Sequence, residues 1–155
     1  MATTSTNKQP LLVDSVLHNV INIDGAINNG IDIVGTNTAA LLVNAISTDG
    51  AIIEDIYAIS RGTTAYEINL YLSTARDYLR PTEANFVGTF KAGTTVGART
   101  SWENMPFTLV PVPQTGDESR NRAFYLPRNM TLWAARNSNS NITDGPIVGA
   151  QGGFY

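Results

Sequence analysis

The clearest pattern along the chain is an alternation of apolar and other residues over Glu67–Leu72. The apolar positions are Ile68, Leu70 and Leu72, and the positions between them are Glu67, Asn69 and Tyr71. A period of two is typical of a β-strand with one buried side and one solvent-facing side. We therefore predict a strand here, with the isoleucine and the two leucines in the core.

A second apolar run, Ile52–Ile59, precedes this strand. No single alternation fits the whole run, which predicts a β-bulge near Glu54-Asp55. The intervening segment contains Gly62, a residue that adopts positive φ without steric cost and favours tight turns. The sequence thus predicts a β-hairpin over Ala51–Ser73 at the centre of an antiparallel β domain.

Short apolar runs separated by turn residues continue along the rest of the chain, a spacing typical of β-sandwiches and barrels. The turn signals include Asp24-Gly25 and Asn28-Asn29-Gly30. The stretch Thr74–Asn85 is the best candidate for a helix or a long loop, and Pro81 would end such a helix early. The other apolar runs are Leu11–Val13, Val20–Ile23, Ile31–Val34, Ala39–Ile46, Phe86–Phe90, Phe107–Val110, Ala123–Pro127 and Met130–Ala135.

Two of these runs carry further information. Prolines flank Phe107–Val110, and since proline cannot donate to a β-ladder, we predict an edge strand or a strand end there. Along Met130–Ala135, alternation places Leu132 and Ala134 on one face and Thr131, Trp133 and Ala135 on the other.

The composition limits the kind of protein. A chain of 155 residues suits one domain with a substantial core. Its charged fraction of 15% is low against a typical ~25%, and polar, uncharged surfaces suit β proteins that pack against other proteins. The net charge of −3 provides no basic patch for nucleic acid. The absence of cysteine excludes disulfides and Cys-ligated zinc.

The ends of the chain are polar. The first ten residues lack the apolar segment of a signal peptide, and no run approaches the ~18 apolar residues of a membrane span. We expect a flexible N-terminal arm over residues 1–10, a β-sandwich domain over 11–136 and a flexible C-terminal tail over 137–155. The arm is either frayed or docked on a neighbour, and the same two alternatives hold for the aromatic end of the tail, Phe154-Tyr155.

Candidate catalytic groups are few. His18 is the only histidine, and the chain has no Gly-x-Ser-x-Gly motif. Carboxylates adjoin only as Glu54-Asp55 and Asp117-Glu118, and adjacent strand residues point to opposite faces. We therefore predict that the protein is not an enzyme and uses no cofactor.

Two other groups of side chains could bind a ligand, but each has a structural explanation as well. The aspartates near glycine turns, Asp24, Asp32 and Asp49, could ligate calcium, but the chain has no Asp-x-Asp-x-Asp-Gly loop and turn formation explains them. Six aromatic residues could form a sugar-stacking platform, although core packing and interface anchoring also fit them. They are Tyr57, Tyr66, Tyr71, Trp102, Tyr125 and Trp133. We predict no metal site.

The order of strands and turns over residues 40–136 resembles a group of small structural proteins of tailed bacteriophages, including cyanophages, that decorate or cement the capsid. The features that carry the resemblance are, in order, Asn44-Ala45-Ile46, Asp49-Gly50-Ala51, Ile56–Ser60, Thr63–Leu72, Val87-Gly88-Thr89, Tyr125-Leu126-Pro127 and Thr131–Ala135.

This resemblance implies a β-sandwich, often jelly-roll-like, on the exterior of a virion assembled in the host cytoplasm. It implies binding to the major capsid protein at capsomer junctions and self-association as trimers or dimers, of which we favour the homotrimer over the homodimer. It brings no catalytic residues, and we expect neither nucleic acid nor membrane as a partner. The alternatives are a neck, tail or fibre protein of the virion, or a carbohydrate-binding β-sandwich.

The predicted partner contacts lie on a hairpin tip, a loop and the tail, because tips and loops project from a sandwich and reach partners first. They are Arg61 and Thr63 at the tip, Asp117, Glu118 and Arg120 on the loop after the prolines, and Phe154 and Tyr155 at the tail.

Overall fold

The structure, a computed structural model, describes residues 14–28, 38–102, 123–138 and 143–155. These residues form two antiparallel sheets. The strands are β1 (Ser15–Asn22), β2 (Ala40–Asn44), β3 (Gly50–Ile59), β4 (Glu67–Ser73), β5 (Asn85–Lys91), β6 (Arg99–Ser101), β7 (Phe124–Pro127), β8 (Thr131–Arg136) and β9 (Ile147–Phe154). The predicted N-terminal arm and the runs Leu11–Val13, Ile31–Val34 and Phe107–Val110 lie outside the described residues.

The strand order is that of a jelly roll. The first sheet has the order β1-β9-β3-β6, with β7 also paired to β3, and the second has the order β2-β8-β4-β5. The chain passes from one sheet to the other at each step from β1 to β4, between β5 and β6, and at each step from β7 to β9. Such wrapping produces a double-sheet jelly roll, and the predicted all-β antiparallel sandwich is confirmed.

The predicted central hairpin is wrong, because β3 belongs to the first sheet and β4 to the second. The segment between them crosses the edge of the sandwich instead of turning back. Ser60 Oγ donates to the Gly93 carbonyl at 2.6 Å, and the Ala92 N–H donates to the Tyr66 carbonyl at 2.9 Å. The predicted bulge in β3 is confirmed by a register shift between Ile53 and Asp55.

The main core fills the space between the sheets. Ile68 and Leu70 of β4 are fully buried there, as the alternation predicts, and Leu132 and Ala134 of β8 join them. Trp102, which follows β6, stacks on Phe90 of β5 with ring centroids 6.0 Å apart. This pair closes the sandwich on the side of β5 and β6.

The outer side of the second sheet is covered, whereas the alternation along β4 predicts that it faces solvent. Asn69 and Tyr71, predicted to face solvent, are both buried. The segment from Thr74 to Ala84 forms turns and bends, not a helix, and Leu79 within it is fully buried in a second small core. Trp133 and Ala135 belong to this second core, so the two predicted faces of β8 are confirmed.

The expected flexible tail over residues 137–155 is wrong for β9, which lies between β1 and β3 in the first sheet. The glycines of β9 allow this strand to fit between its two neighbours. A Cβ at Gly149 would overlap the Tyr57 ring, and one at Gly152 would overlap the Ile52 carbonyl. The absence of side chains therefore lets the neighbouring strand and its tyrosine pack directly on the β9 backbone.

Candidate binding surfaces

Two described surfaces carry organised side chains that the core does not use. The first lies on the outer side of the first sheet, and we call it the open face; it consists of Val16, His18, Val20, Tyr57 and Arg99 with Asp55 and Ser101. The second is the segment Thr74–Glu83 on the outer side of the second sheet, which we call the arginine loop.

The β1 part of the open face is exposed. Leu17 points into the core, whereas Val16 and Val20 retain 79% and 46% of their accessible surface. His18 lies between them on the same side, since alternate residues of a strand share a face. Exposed valines on an edge strand of an ordered sheet contribute nothing to the core, so the open face has apolar surface available for contact.

Tyr57 connects β3 to β1 across the glycine of β9. Its ring lies against Gly149, and its hydroxyl forms a hydrogen bond with His18 Nε2 at 3.2 Å. Only 4% of the tyrosine is exposed. The only histidine thus forms a hydrogen bond with a tyrosine hydroxyl. This bond links β1 to β3 across the strand between them, β9.

Arg99 is held over the Tyr57 ring, with the guanidinium carbon 3.8 Å from the ring centroid. It also pairs with the Asp55 carboxylate, which accepts a further hydrogen bond from Ser101 Oγ at 3.1 Å. The Arg99 side chain nevertheless remains 45% exposed. A guanidinium fixed by a ring and a carboxylate loses little conformational entropy when its remaining N–H groups bind a partner.

The arginine loop is anchored by a buried polar network. Trp133 Nε1 donates to Thr131 Oγ1 at 2.8 Å, and Thr131 Oγ1 lies 2.9 and 2.8 Å from the carbonyl oxygens of Ser73 and Ala75, to which it donates. Together with the burial of Leu79, these contacts fix the base of the loop on the second sheet.

The outer part of the arginine loop surrounds an open pocket of ≈ 330 Å³. Arg80 donates to the Tyr78 hydroxyl at 2.5 Å, and this bond raises the pKa of Arg80 above its ordinary value. Arg80 also lies 4.0 Å from Glu83, and Arg76 is exposed. The loop therefore presents two arginines and a tyrosine from a fixed base.

Of the predicted partner contacts, Arg61 has internal partners. It donates to Asp24 Oδ2 and to the Thr143 carbonyl, each at 2.9 Å. Burial of Asp24 opposes its ionisation, but hydrogen bonds from Asn22 and Arg61 and the charge of Arg61 outweigh that effect and lower the pKa of Asp24. Arg61 thus joins two turns to the end of β3, which is a structural role.

The other predicted contacts are placed differently. Thr63 is exposed, although not at a hairpin tip, and its contact role stays a prediction. Phe154 packs against the main core. The ring of Tyr155 lies 6.1 Å from that of Tyr125, and burial, with a smaller contribution from Tyr125, raises the pKa of Tyr155. The loop residues Asp117, Glu118 and Arg120 lie outside the described residues, so their contact role stays a prediction.

The six aromatic residues considered for sugar stacking do not form a platform. Tyr57, Tyr71, Trp102 and Trp133 are buried, and Tyr66 and Tyr125 are half-buried. Stacking on a sugar requires an accessible ring face. The motivation for a carbohydrate-binding module therefore does not hold for these residues.

Sequence reasoning missed the residues that organise both surfaces. Arg99 and Tyr57 are brought together only by the pairing of β3 with β6, and Gly149 only by the pairing of β3 with β9. The arginine loop carried a usable signal, since Arg76 and Arg80 lie within a stretch already identified as a helix or long loop.

Comparison of the chain with protein-family models, curated proteins and solved structures finds no match. Within residues 14–28, 38–102, 123–138 and 143–155, no helix meets the length and hydropathy needed to cross a bilayer. The same residues contain no cluster of three or more His, Asp or Glu side chains that could hold a metal ion.

Proposed function

We propose that the chain is a structural protein of a bacteriophage virion: a capsid decoration protein that binds the major capsid protein at capsomer junctions and stabilises the head from its exterior. The order of strands and turns resembles such proteins, and the jelly roll is the fold that the resemblance implies. Jelly rolls also occur in lectin domains and cupins, so the fold by itself does not select a function.

The observation that carries the proposal is the anchored arginine loop. β4 and β5 are antiparallel neighbours, which two to five residues could join. Eleven residues join them instead, between Ser73 and Asn85. The connection is therefore longer than the strand pairing needs, and its polar network and small core hold exposed side chains on a rigid support, which is how binding residues on loops are commonly presented.

The exposed side chains of this loop suit a protein partner. Arginine and tyrosine are enriched among the residues that dominate protein–protein binding energy. On this loop, Arg80 is already stacked against Tyr78, with its guanidinium carbon 4.9 Å from the ring centroid. A pre-arranged side chain lowers the entropy cost of association, so more of the contact energy appears as affinity.

Binding of this kind explains how a small protein stabilises a shell. A chain that binds the assembled capsid and not the dissociated subunits shifts the equilibrium toward the assembled state by mass action. At a concentration about 100 times the dissociation constant, each bound copy contributes about 2.7 kcal/mol.

Co-sedimentation with empty, expanded capsids of the virus tests the proposal. We expect the fluorescently labelled wild-type chain to pellet with the capsids and to saturate. We expect the double variant Arg76→Ala/Arg80→Ala to bind at least tenfold more weakly, which corresponds to about 1.4 kcal/mol.

The matched control is Arg128→Ala, which removes another exposed arginine with an acidic neighbour, Asp49 at 3.5 Å. Because Arg128 lies in the turn between β7 and β8, its removal should leave capsid binding unchanged. Failure of the wild-type chain to pellet with capsids would overturn the proposed function. Equal losses in both variants would remove the arginine loop from the mechanism.

A further inference from the structure

We propose that Phe86 is a contact residue of the surface that the arginine loop forms, and that this surface takes a segment of the major capsid protein in which an apolar side chain lies beside a carboxylate. The apolar side chain packs against Phe86, and the carboxylate pairs with Arg80. This inference rests on the proposed function, because it names the chemistry of the partner at the same surface.

A β-bulge in β5 turns Phe86 away from the main core. Gly88 pairs with Leu70, which is fully buried in that core, and regular alternation would place Phe86 on the same inner side. The register shifts after Leu70, and Phe86 pairs with Tyr71 instead. Val87, which the shift leaves without a paired residue, packs against the main core. Bulges redirect side chains in this way, often beside functional sites.

Phe86 therefore lies on the outer side of the second sheet, beside the base of the arginine loop. Residues paired across antiparallel strands point to the same side of a sheet. Tyr71 is buried on the outer side, in one small core with Ala75 and Leu79 of the loop. The rings of Phe86 and Tyr71 meet edge to face, with centroids 5.9 Å apart. This contact fixes the orientation of Phe86 relative to the loop.

The exposure of Phe86 has a cost that the bulge imposes. Phe86 keeps 40% of its surface exposed, whereas Phe90, on the inner side of the same strand, keeps 7%. Single exposed apolar residues are common on protein surfaces, but here a break in the strand pairing removes an aromatic ring from the core, where burial would stabilise the fold. Aromatic residues and arginine are enriched together at protein interfaces. The bulge thus places Phe86 where such a site requires it.

The charges of the arginine loop indicate the polar group of the partner. Asp77 and Glu83 balance Arg76 and Arg80, so the loop has no net charge to attract a polyanion such as nucleic acid. The Arg80 side chain is 53% exposed, and the Tyr78 hydroxyl accepts one of its N–H groups. A guanidinium offers more N–H groups than this bond uses, in a planar fork that binds a carboxylate through two parallel hydrogen bonds.

Co-sedimentation with empty, expanded capsids measures the contribution of Phe86. Phe86→Thr should bind roughly thirtyfold more weakly than the wild type, because the exposed 40% of a ring of roughly 200 Å² no longer packs against the partner. Phe86→Leu keeps an apolar side chain and should stay within about threefold of the wild type. The matched control is Val96→Thr, at an exposed valine beyond the far end of β5, which should bind as the wild type does. Thermal melting checks that each variant is folded.

Reversal of the charge at Arg80 tests the carboxylate. Arg80→Glu should bind capsids at least about tenfold more weakly than Arg80→Ala at about 50 mM salt, because it sets one carboxylate against another. The difference should narrow at about 500 mM salt, since salt screens the repulsion. The control pair, Arg128→Glu and Arg128→Ala, changes an exposed arginine in the turn before β8 and should bind alike at both salt concentrations.

A third measurement locates the contact independently of binding energy. The chain has no cysteine, so a single introduced thiol can be followed with a maleimide reagent. With capsids in excess, the Phe86→Cys thiol should react at least about tenfold more slowly than without capsids, because the core of an interface excludes solvent. The Val96→Cys thiol should react at the same rate in both conditions.

The outcomes distinguish this inference from the proposed function. A wild-type chain that does not pellet with capsids refutes both. If the wild type pellets but Phe86→Thr binds as well as Val96→Thr, or the Phe86→Cys thiol stays unprotected, the capsid assignment stands and the contact role of Phe86 is refuted. Equal affinities of Arg80→Glu and Arg80→Ala at low salt refute the carboxylate. A Phe86 that merely stabilised the fold would leave the Phe86→Cys thiol equally reactive with and without capsids.

Discussion

Replacing Gly149 with alanine should destabilise the protein by about 3–4 kcal/mol, although alanine usually suits an extended strand better than glycine. An added Cβ at this position would lie 2.7 Å from Cε1 of Tyr57 and closer still to Cζ. Because the ring cannot remain against β9, it has to swing toward solvent.

The size of the effect follows from what Tyr57 loses. The hydrogen bond to His18 contributes about 1 kcal/mol and the stacking of Arg99 about 0.5–1 kcal/mol. Exposing roughly half of the ring, on the order of 100 Å², costs about 2.5 kcal/mol at 25 cal/mol/Å². The reduced entropy of the unfolded chain with alanine offsets about 0.4–1 kcal/mol.

Urea denaturation of the wild type and the variant measures this difference in the free energy of unfolding. The control is Gly25→Ala, where an added Cβ has no atom within 4 Å and the effect should stay within about 0.5 kcal/mol. In a Tyr57→Ala background, Gly149→Ala should cost almost nothing, because the overlapping ring is gone. A Gly149→Ala protein as stable as the wild type would refute the placement of Tyr57 over β9.

Other consequences concern pH and the core. The pKa of Asp24 is lowered in the fold, so its pairing with Arg61 stabilises the protein above the ordinary value of 3.8 and this contribution disappears as pH falls below it. Asp24→Asn should therefore cost roughly 0.5–1 kcal/mol at pH 7, and this difference in the free energy of unfolding should shrink as pH falls below 3.8. The pKa of Tyr155 is raised, so its contribution is present below pH 10 and is lost as pH rises above it, and Tyr155→Phe should remove that alkaline loss in thermal melts. Trp102→Ala should cost about 3–5 kcal/mol in urea denaturation, because the indole is 6% exposed and stacks on a core phenylalanine.

Local patterns predicted the strands well because burial of a sheet face imposes a period of two. The alternation around Ile68 and Leu70 correctly identified the core side of β4. The broken alternation near Glu54 correctly located the bulge in β3. The two faces of β8 followed from the same rule. Each of these features depends on residues close together in the sequence.

Features that depend on residues far apart in the chain could not be predicted from the sequence. The period of two shows which side chains share a face, but not which strand pairs with which, so β3 and β4 were wrongly joined as a hairpin. Tyr71 is buried because Ala75 and Leu79 of the arginine loop pack in one small core with it. The glycines of β9 suggested a flexible tail, since glycine weakens isolated strands, whereas they permit close packing of Tyr57.

The residues of the candidate surfaces could not be predicted for the same reason, because their partners are distant in the chain. Arg61 lies next to a glycine and suggested a projecting tip, but its guanidinium binds Asp24 and a distant carbonyl. No local sequence pattern identifies Arg99 as a surface residue of interest. Its ring partner, Tyr57, and its carboxylate partner, Asp55, both belong to β3, which is distant in the chain. Contact residues of a sandwich are set by neighbouring strands, which one sequence does not reveal.

The most direct test of the proposed function is a cryo-electron microscopy reconstruction of the virion at a resolution that resolves β-sheets. We expect jelly-roll density that fits this chain on the head exterior at junctions between capsomers, with the arginine loop facing the major capsid protein. Density for the chain only at the neck or tail, or none on the particle, would contradict the assignment to the capsid.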